Sequence, residues 1–335
     1  MAENLVLLVF LLLPPALAGT LALGARRLRT TGRKSSAAEV AGTNLVAVLL
    51  IASLFLAAGE IYFRFVFDTT DSIDYTKVSR RWFSRYFSKN SMSFRDDVDY
   101  RPRIVPGKRR VSFVGDSFAA GHGVKDPADL FAYRLRGGHP EWEVHLLAIL
   151  GFDTGGELDM LRQLRSRYEF DQVVLVYCLN DVSDMLPEWK DVQAGIKADA
   201  QNAGWLRRNS YFVDIVSHRI EAARNPYMSR YFFFVRDAYE GELWERQKER
   251  LAALWSEQEV PHLDLLSVYD GMPSKKLVVG KYDAHPNAYA HGLAAEKIEA
   301  FLRANMSFGR PAARRSGAGG AGTIPTEAAP ADSGA

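Results

Sequence analysis

Cysteine is almost absent from this chain: Cys178 is the only one in 335 residues. A lone thiol excludes an intrachain disulfide and any centre built on a cysteine pair, and it leaves the cellular compartment open. An excess of one charge is missing too. The formal net charge is +2, and apart from one group near the N-terminus the basic residues are dispersed. No basic stripe exists to track phosphates, so nucleic acid is not an expected partner. His122, His139, His145, His218, His262 and His291 are scattered without ligand spacing, so neither a metal nor another cofactor is expected.

Long apolar runs are present. Leu5 to Gly24 is broken only by Pro14 and Pro15, and a second run from Leu45 continues past Glu60 into Ile61, Tyr62 and Phe63. Each approaches the roughly 20 residues that cross a bilayer. Between them Arg26, Arg27, Arg29, Arg33 and Lys34 form a short basic loop, which the positive-inside bias assigns to the cytoplasm. Residues 1–63 therefore read as a membrane anchor with helices at about 5–24 and 45–63 around the basic loop 26–34. The rest of the chain is expected outside, in a periplasm or on the outer face of the membrane. A cleaved signal peptide fits poorly, because only Glu3 precedes the first run where basic residues would stand.

Residues 64–108 mix charges and aromatics without a period and read as a stalk and lead-in. From 109 to 305 short β-branched runs alternate with helical stretches, which predicts an α/β domain with a mostly parallel sheet. Expected strands are Arg110–Val114, Glu143–Ile149, Gln172–Tyr177 and Val260–Leu266, with Tyr231–Val235 a weaker candidate. Helices are expected at 128–136, 157–167, 243–257 and 288–301. The last stretch, 306–335, is rich in Gly, Ala, Pro and Ser and reads as a disordered tail.

The first strand ends in Val114-Gly115-Asp116-Ser117-Phe118, which sets a serine where open α/β sheets bind ligands. Taken alone, such a tripeptide is what any strand-to-helix turn favours. Three further elements accompany it. Gly151 follows the second strand, Cys178-Leu179-Asn180-Asp181 follows the third, and Asp283-Ala284-His285-Pro286-Asn287 precedes the last helix.

With these blocks, and with Gly121-His122-Gly123-Val124 and Ser93-Phe94-Arg95-Asp96, the sequence resembles the SGNH (GDSL) hydrolase superfamily over about residues 90–305. The resemblance implies a flavodoxin-like three-layer α/β/α sandwich. It also implies an acyl-ester hydrolase with Ser117 as nucleophile, His285 as base and Asp283 as the orienting acid. The oxyanion hole would be formed by the Ser117 and Gly151 backbone N–H groups and the Asn180 side chain, with Asp116 and Asp181 in support. A hydroxyl needs an adjacent imidazole, and the imidazole a partner on its other nitrogen, before it attacks an ester. Asp283 stands two residues before His285, where many members place the acid three before, at the position of Tyr282 here. Were Asp283 turned away, His285 would rest on a backbone carbonyl.

The implied substrate is an acyl ester on a small molecule, a glycan or a lipid. Two rival readings use the same residues differently: acyl transfer to a polysaccharide, and a degenerate domain that binds glycan or a partner protein. A glycan groove would be sought near Trp189, Trp205 and Tyr211, although aromatics at such spacing are more often core.

Overall fold

The computed structural model describes residues 2–32, 34–71, 75–178, 194–195, 198, 201–224 and 242–306. Two antiparallel helices open the chain, α1 (Ala2–Thr31) and α2 (Ala37–Ile61). Ser36 caps α2 by accepting from the Glu39 N–H, while the Glu39 carboxylate accepts from the Ser36 N–H; this reciprocal box fixes the turn between them. A π-turn extends α2 through Tyr62–Val66. Both segments are long and apolar enough to cross a membrane. Val6, Phe10 and Ala57 pack between them. Elsewhere their apolar side chains face outward, Ile51 at 68% exposure, so no protein core explains their hydrophobicity.

After them comes α3 (Lys77–Tyr86), capped by the Thr76 side chain, which accepts from the Ser79 N–H. The stretch read as a stalk is thus packed rather than extended: Val78 and Trp82 are buried, and so are Thr70 and Asp71 before them. The α/β domain follows with β1 (Arg109–Gly115), α4 (Ser117–Ala120), α5 (Phe131–Gly138), β2 (Trp142–Ala148), α6 (Thr154–Leu164) and β3 (Gln172–Val176). The three strands are parallel in the order β2-β1-β3. Alternation decides what covers each face. Val111 and Phe113 of β1, beside Val144 and Leu146 of β2, meet one helical layer that includes Leu135 of α5 and residues of the last helix. Val114 and Leu147 point the other way, to Met160 of α6 and to Phe94 and Tyr100.

Beyond β3 the described elements are α7 (Trp205–Asn209), α8 (Tyr211–Arg224), α9 (Glu242–Glu257), β4 (Val278–Gly280), β5 (Asp283–Pro286) and α10 (Ala288–Asn305). Residues 260–265 form no strand: Pro261 lacks an N–H for a ladder, and the chain runs as coil into a 3₁₀ turn at Leu266–Tyr269. Only Leu263 and Leu265 of that run reach the core. The sheet that does form near the C-terminus is the antiparallel pair β4–β5. The candidate strand Tyr231–Val235 and the tail from 307 onward lie outside the described residues.

Glu60, met in the sequence as an interruption of an apolar run, is fully buried. Its carboxylate accepts from the Ser210 hydroxyl at 2.6 Å and from the N–H groups of Phe212 and Tyr211 at 3.0 and 3.2 Å. It therefore satisfies the free N–H groups of α8 and complements that helix's positive end. Arg64 donates to the Glu3 carbonyl and to Asn4 Oδ1, tying the two N-terminal helices to each other. Lys77 donates to Glu3 and to the Arg208 carbonyl, so this residue and Glu60 bond the helical pair to the domain.

Candidate active site

Gly115 is in register with Ala148 of β2 and with Val176 of β3, so the carboxyl ends of all three strands are level. The strand order changes direction between β1 and β3, the place where open sheets leave a crevice. Asp116 turns the chain there: its Oδ1 accepts from the Phe118 N–H at 2.8 Å and starts α4 with Ser117 in the first helical position. Ser117 is half-buried. A side chain at Gly115 would strike Ala119 at 2.6 Å, which is why the strand must end on glycine.

Two left-handed glycines shape the next loop. Gly121 (φ +70°) terminates α4, and Gly123 (φ +84°) lets Val279 of β4 pack where a Cβ would be, 2.4 Å from it. The hairpin is thereby pressed against the loop beside Ser117. From behind, the buried Arg95 guanidinium donates to the carbonyls of Ala120, Gly121 and Val124 and lies 4.8 Å over the Phe87 ring. Burial draws its pKa down to about 10.

The hairpin supplies an imidazole and a carboxylate. Asp283 and His285 occupy alternate positions of β5, both buried, so their side chains leave on the same face. This answers the question left by the spacing: two residues apart is the separation that a strand makes productive. His285 Nδ1 lies 2.6 Å from Asp283 Oδ1, which also accepts the His285 N–H at 3.0 Å, and His285 Nε2 lies 2.8 Å from Ser117 Oγ. Ser117, His285 and Asp283 are thus brought into one continuous chain. Burial opposes the Asp283 charge, but the facing His285 imidazole, its hydrogen bond and further donors hold the carboxyl at about 2. Asn287 caps α10 and donates to the carbonyls of Lys276 and Val278, which ties the hairpin to the helix that follows.

Four neighbours were not foreseen. Thr70 Oγ1 donates to Asp283 Oδ2, across 213 residues of sequence. Asp71, buried beside it, accepts from Thr76 Oγ1 at 3.0 Å, and burial lifts its carboxyl to about 6. His122 lies flat against His285, ring centres 4.3 Å apart and planes within 12°, with Trp82 stacked on its other side at 6.2 Å. Its Nε2 is 3.6 Å from Asp283 Oδ2, and its ring bonds to the Asp71 backbone. Burial and the neighbouring His285 bring His122 down to about 3, so it is neutral. Only His122 had a sequence signal, its place between two glycines just after the serine block.

Gly151 lies in the loop after β2 with φ +76°, at the same sheet edge as Ser117. Asn180, Asp181 and Trp189 lie outside the described residues. Trp205 is exposed, and Tyr211 sits beneath the cations of Arg64, Lys77 and Arg81 at the anchor junction. His291 is buried in packing against Phe131.

His122, Asp283 and His285 present three ligand atoms within 4.8 Å of one another. A cation there would have to displace existing bonds: both His285 nitrogens face partners, and both Asp283 oxygens accept hydrogen bonds. The set fits an acid–base relay better than a metal. No protein-family model matches the chain, and no curated protein matches it.

Proposed function

We propose that the protein is a membrane-anchored serine esterase of the SGNH type, with the flavodoxin-like sandwich that this implies. The observation carrying the reading is the bonded series Ser117–His285–Asp283 at 2.8 and 2.6 Å. Its setting at the carboxyl edge of a parallel sheet ordered β2-β1-β3 supports it.

The chemistry follows from the geometry. Ser117 Oγ attacks the ester carbonyl carbon as its proton passes to His285 Nε2, and the ionised Asp283 stabilises the imidazolium. Negative charge on the carbonyl oxygen is met by the Ser117 N–H, which helix geometry leaves without an intrahelical partner, and by the Gly151 N–H. Asn180 would be the third donor, and one such donor is worth about 2.7–4 kcal/mol. The ester C–O bond then breaks, His285 giving its proton to the departing alkoxide and leaving acyl-Ser117. Water, deprotonated by His285, releases the acid and restores the hydroxyl.

The anchor sets where this happens. Arg26, Arg27, Arg29 and Lys34 stand at the turn of the helical hairpin, and the domain joins its opposite end, so the positive-inside bias puts the domain outside the cytoplasm. The test is hydrolysis of p-nitrophenyl acetate and butyrate by the full-length protein in detergent. Ser117→Ala and His285→Ala should each lose about 1,000-fold or more. Undiminished turnover in either variant, or a folded wild type that neither turns over ester nor is labelled by a fluorophosphonate, would defeat the reading.

A further inference from the structure

The triad sits close to the end of the apolar helices. Outward-facing apolar surface continues through Phe65 and Val66 at the end of the π-turn, and only four residues later Thr70 is bonded to Asp283. At about 3.5 Å per residue, the chain separates those points by no more than about 14 Å. A second route agrees. Arg81 on α3 donates to the carbonyls of Phe63, Arg64 and Phe67, which close the anchor. Its neighbour Trp82 starts the ring stack that runs through His122 to His285. One helix, about 10 Å across, thus lies between the membrane segment and the base.

This height is fixed, since Ser210 bonds to Glu60, Lys77 to Glu3, and Arg81 to the carbonyls of Phe63 and Arg64 across the junction. The headgroup layer of a leaflet is about 5–8 Å thick, so Asp283 lies at most about 6–9 Å above it, with Ser117 one imidazole ring away. Resting on the esterase reading, we propose that the substrate is an acyl ester borne by a membrane-resident carrier, its ester group at headgroup level in the leaflet the domain faces. A freely diffusing ester has no need of a nucleophile held at this height. An ester whose carrier is buried in the leaflet can present its carbonyl only within such a distance.

The experiment uses the full-length protein in phosphatidylcholine–phosphatidylglycerol vesicles and two butyryl esters of glycerol. One is water-soluble monobutyrin; the other is 1,2-dioleoyl-3-butyrylglycerol in the same bilayer. Butyrate release from the embedded ester should exceed that from monobutyrin at least tenfold at equal bulk concentration, and both should vanish in Ser117→Ala. In parallel, a fluorophosphonate dye attached to Ser117 should be quenched by nitroxide-headgroup lipid. Ser117-dependent release that is equal or faster from monobutyrin, or an unquenched dye, overturns the membrane-borne substrate and leaves the esterase standing. No release from either ester and no labelling of Ser117 overturns both.

Discussion

Replacing Thr70 by valine removes one hydroxyl and keeps the branched shape. Asp283 Oδ1 has two donors, both from His285, whereas Oδ2 has Thr70, with His122 Nε2 next at 3.6 Å. A hydrogen bond to a charged, buried acceptor contributes about 1.5–3 kcal/mol. The neutral His122 already spends its single ring proton on the Asp71 backbone, so it does not replace the Thr70 donor. At 1.36 kcal/mol per tenfold, kcat/KM for p-nitrophenyl butyrate should fall about 10- to 100-fold. Thr70→Ser, which restores the hydroxyl, should recover most of it. The assay is steady-state hydrolysis beside a thermal unfolding midpoint, because a residue that merely packs would lower the midpoint and spare kcat. Full activity in Thr70→Val would refute the claim that the segment after the anchor completes the site.

Further outcomes can be checked independently. Gly123→Ala puts a methyl into Val279 at a left-handed position, so it should cost at least about 2 kcal/mol in stability by denaturant titration. Glu60→Ala strands the Ser210 hydroxyl and two N–H groups of α8, for a loss of about 2–4 kcal/mol read as a lower unfolding midpoint in detergent. Asp71 titrates near 6 when folded and near 3.8 when unfolded. Its penalty is therefore absent below pH 4, grows as pH rises through 6, and is complete above that. Asp71→Asn should match wild type near pH 4 and exceed it at pH 8 by up to about 3 kcal/mol; an unchanged difference between the two pH values would show that Asp71 carries no such burden.

The legible parts of the site were those in which one short segment carries both the conformational and the chemical signal. Gly115-Asp116-Ser117 is a strand end, a cap and the proposed nucleophile in three residues. Asp283 and His285 were visible as a pair, but the strand that orients them was not, because Asp-Ala-His-Pro has no β-branched residue and is too short for periodicity to register. Val260–Leu266 failed in the opposite way: its aliphatic content suggested a strand, and Pro261 with the 3₁₀ turn after it prevented one. Thr70, Asp71 and Trp82 reach the site only through tertiary contacts, and a threonine that bonds a carboxylate 213 positions away leaves no local trace. Glu60 was masked by its apolar surroundings, although an acid at that point of a membrane segment must find donors.

Because β5 holds Asp283 and His285 on alternate residues, their mutual geometry is written into four consecutive positions, and Thr70 braces the far oxygen of the carboxylate. A movement of the hairpin would carry carboxylate and imidazole together like one jaw of a clamp, parting His285 from Ser117 and Asp283 from Thr70. A relay so locally encoded is also portable: the segment 283–286, grafted as a strand facing an exposed serine in another scaffold, would bring its orienting carboxylate with it.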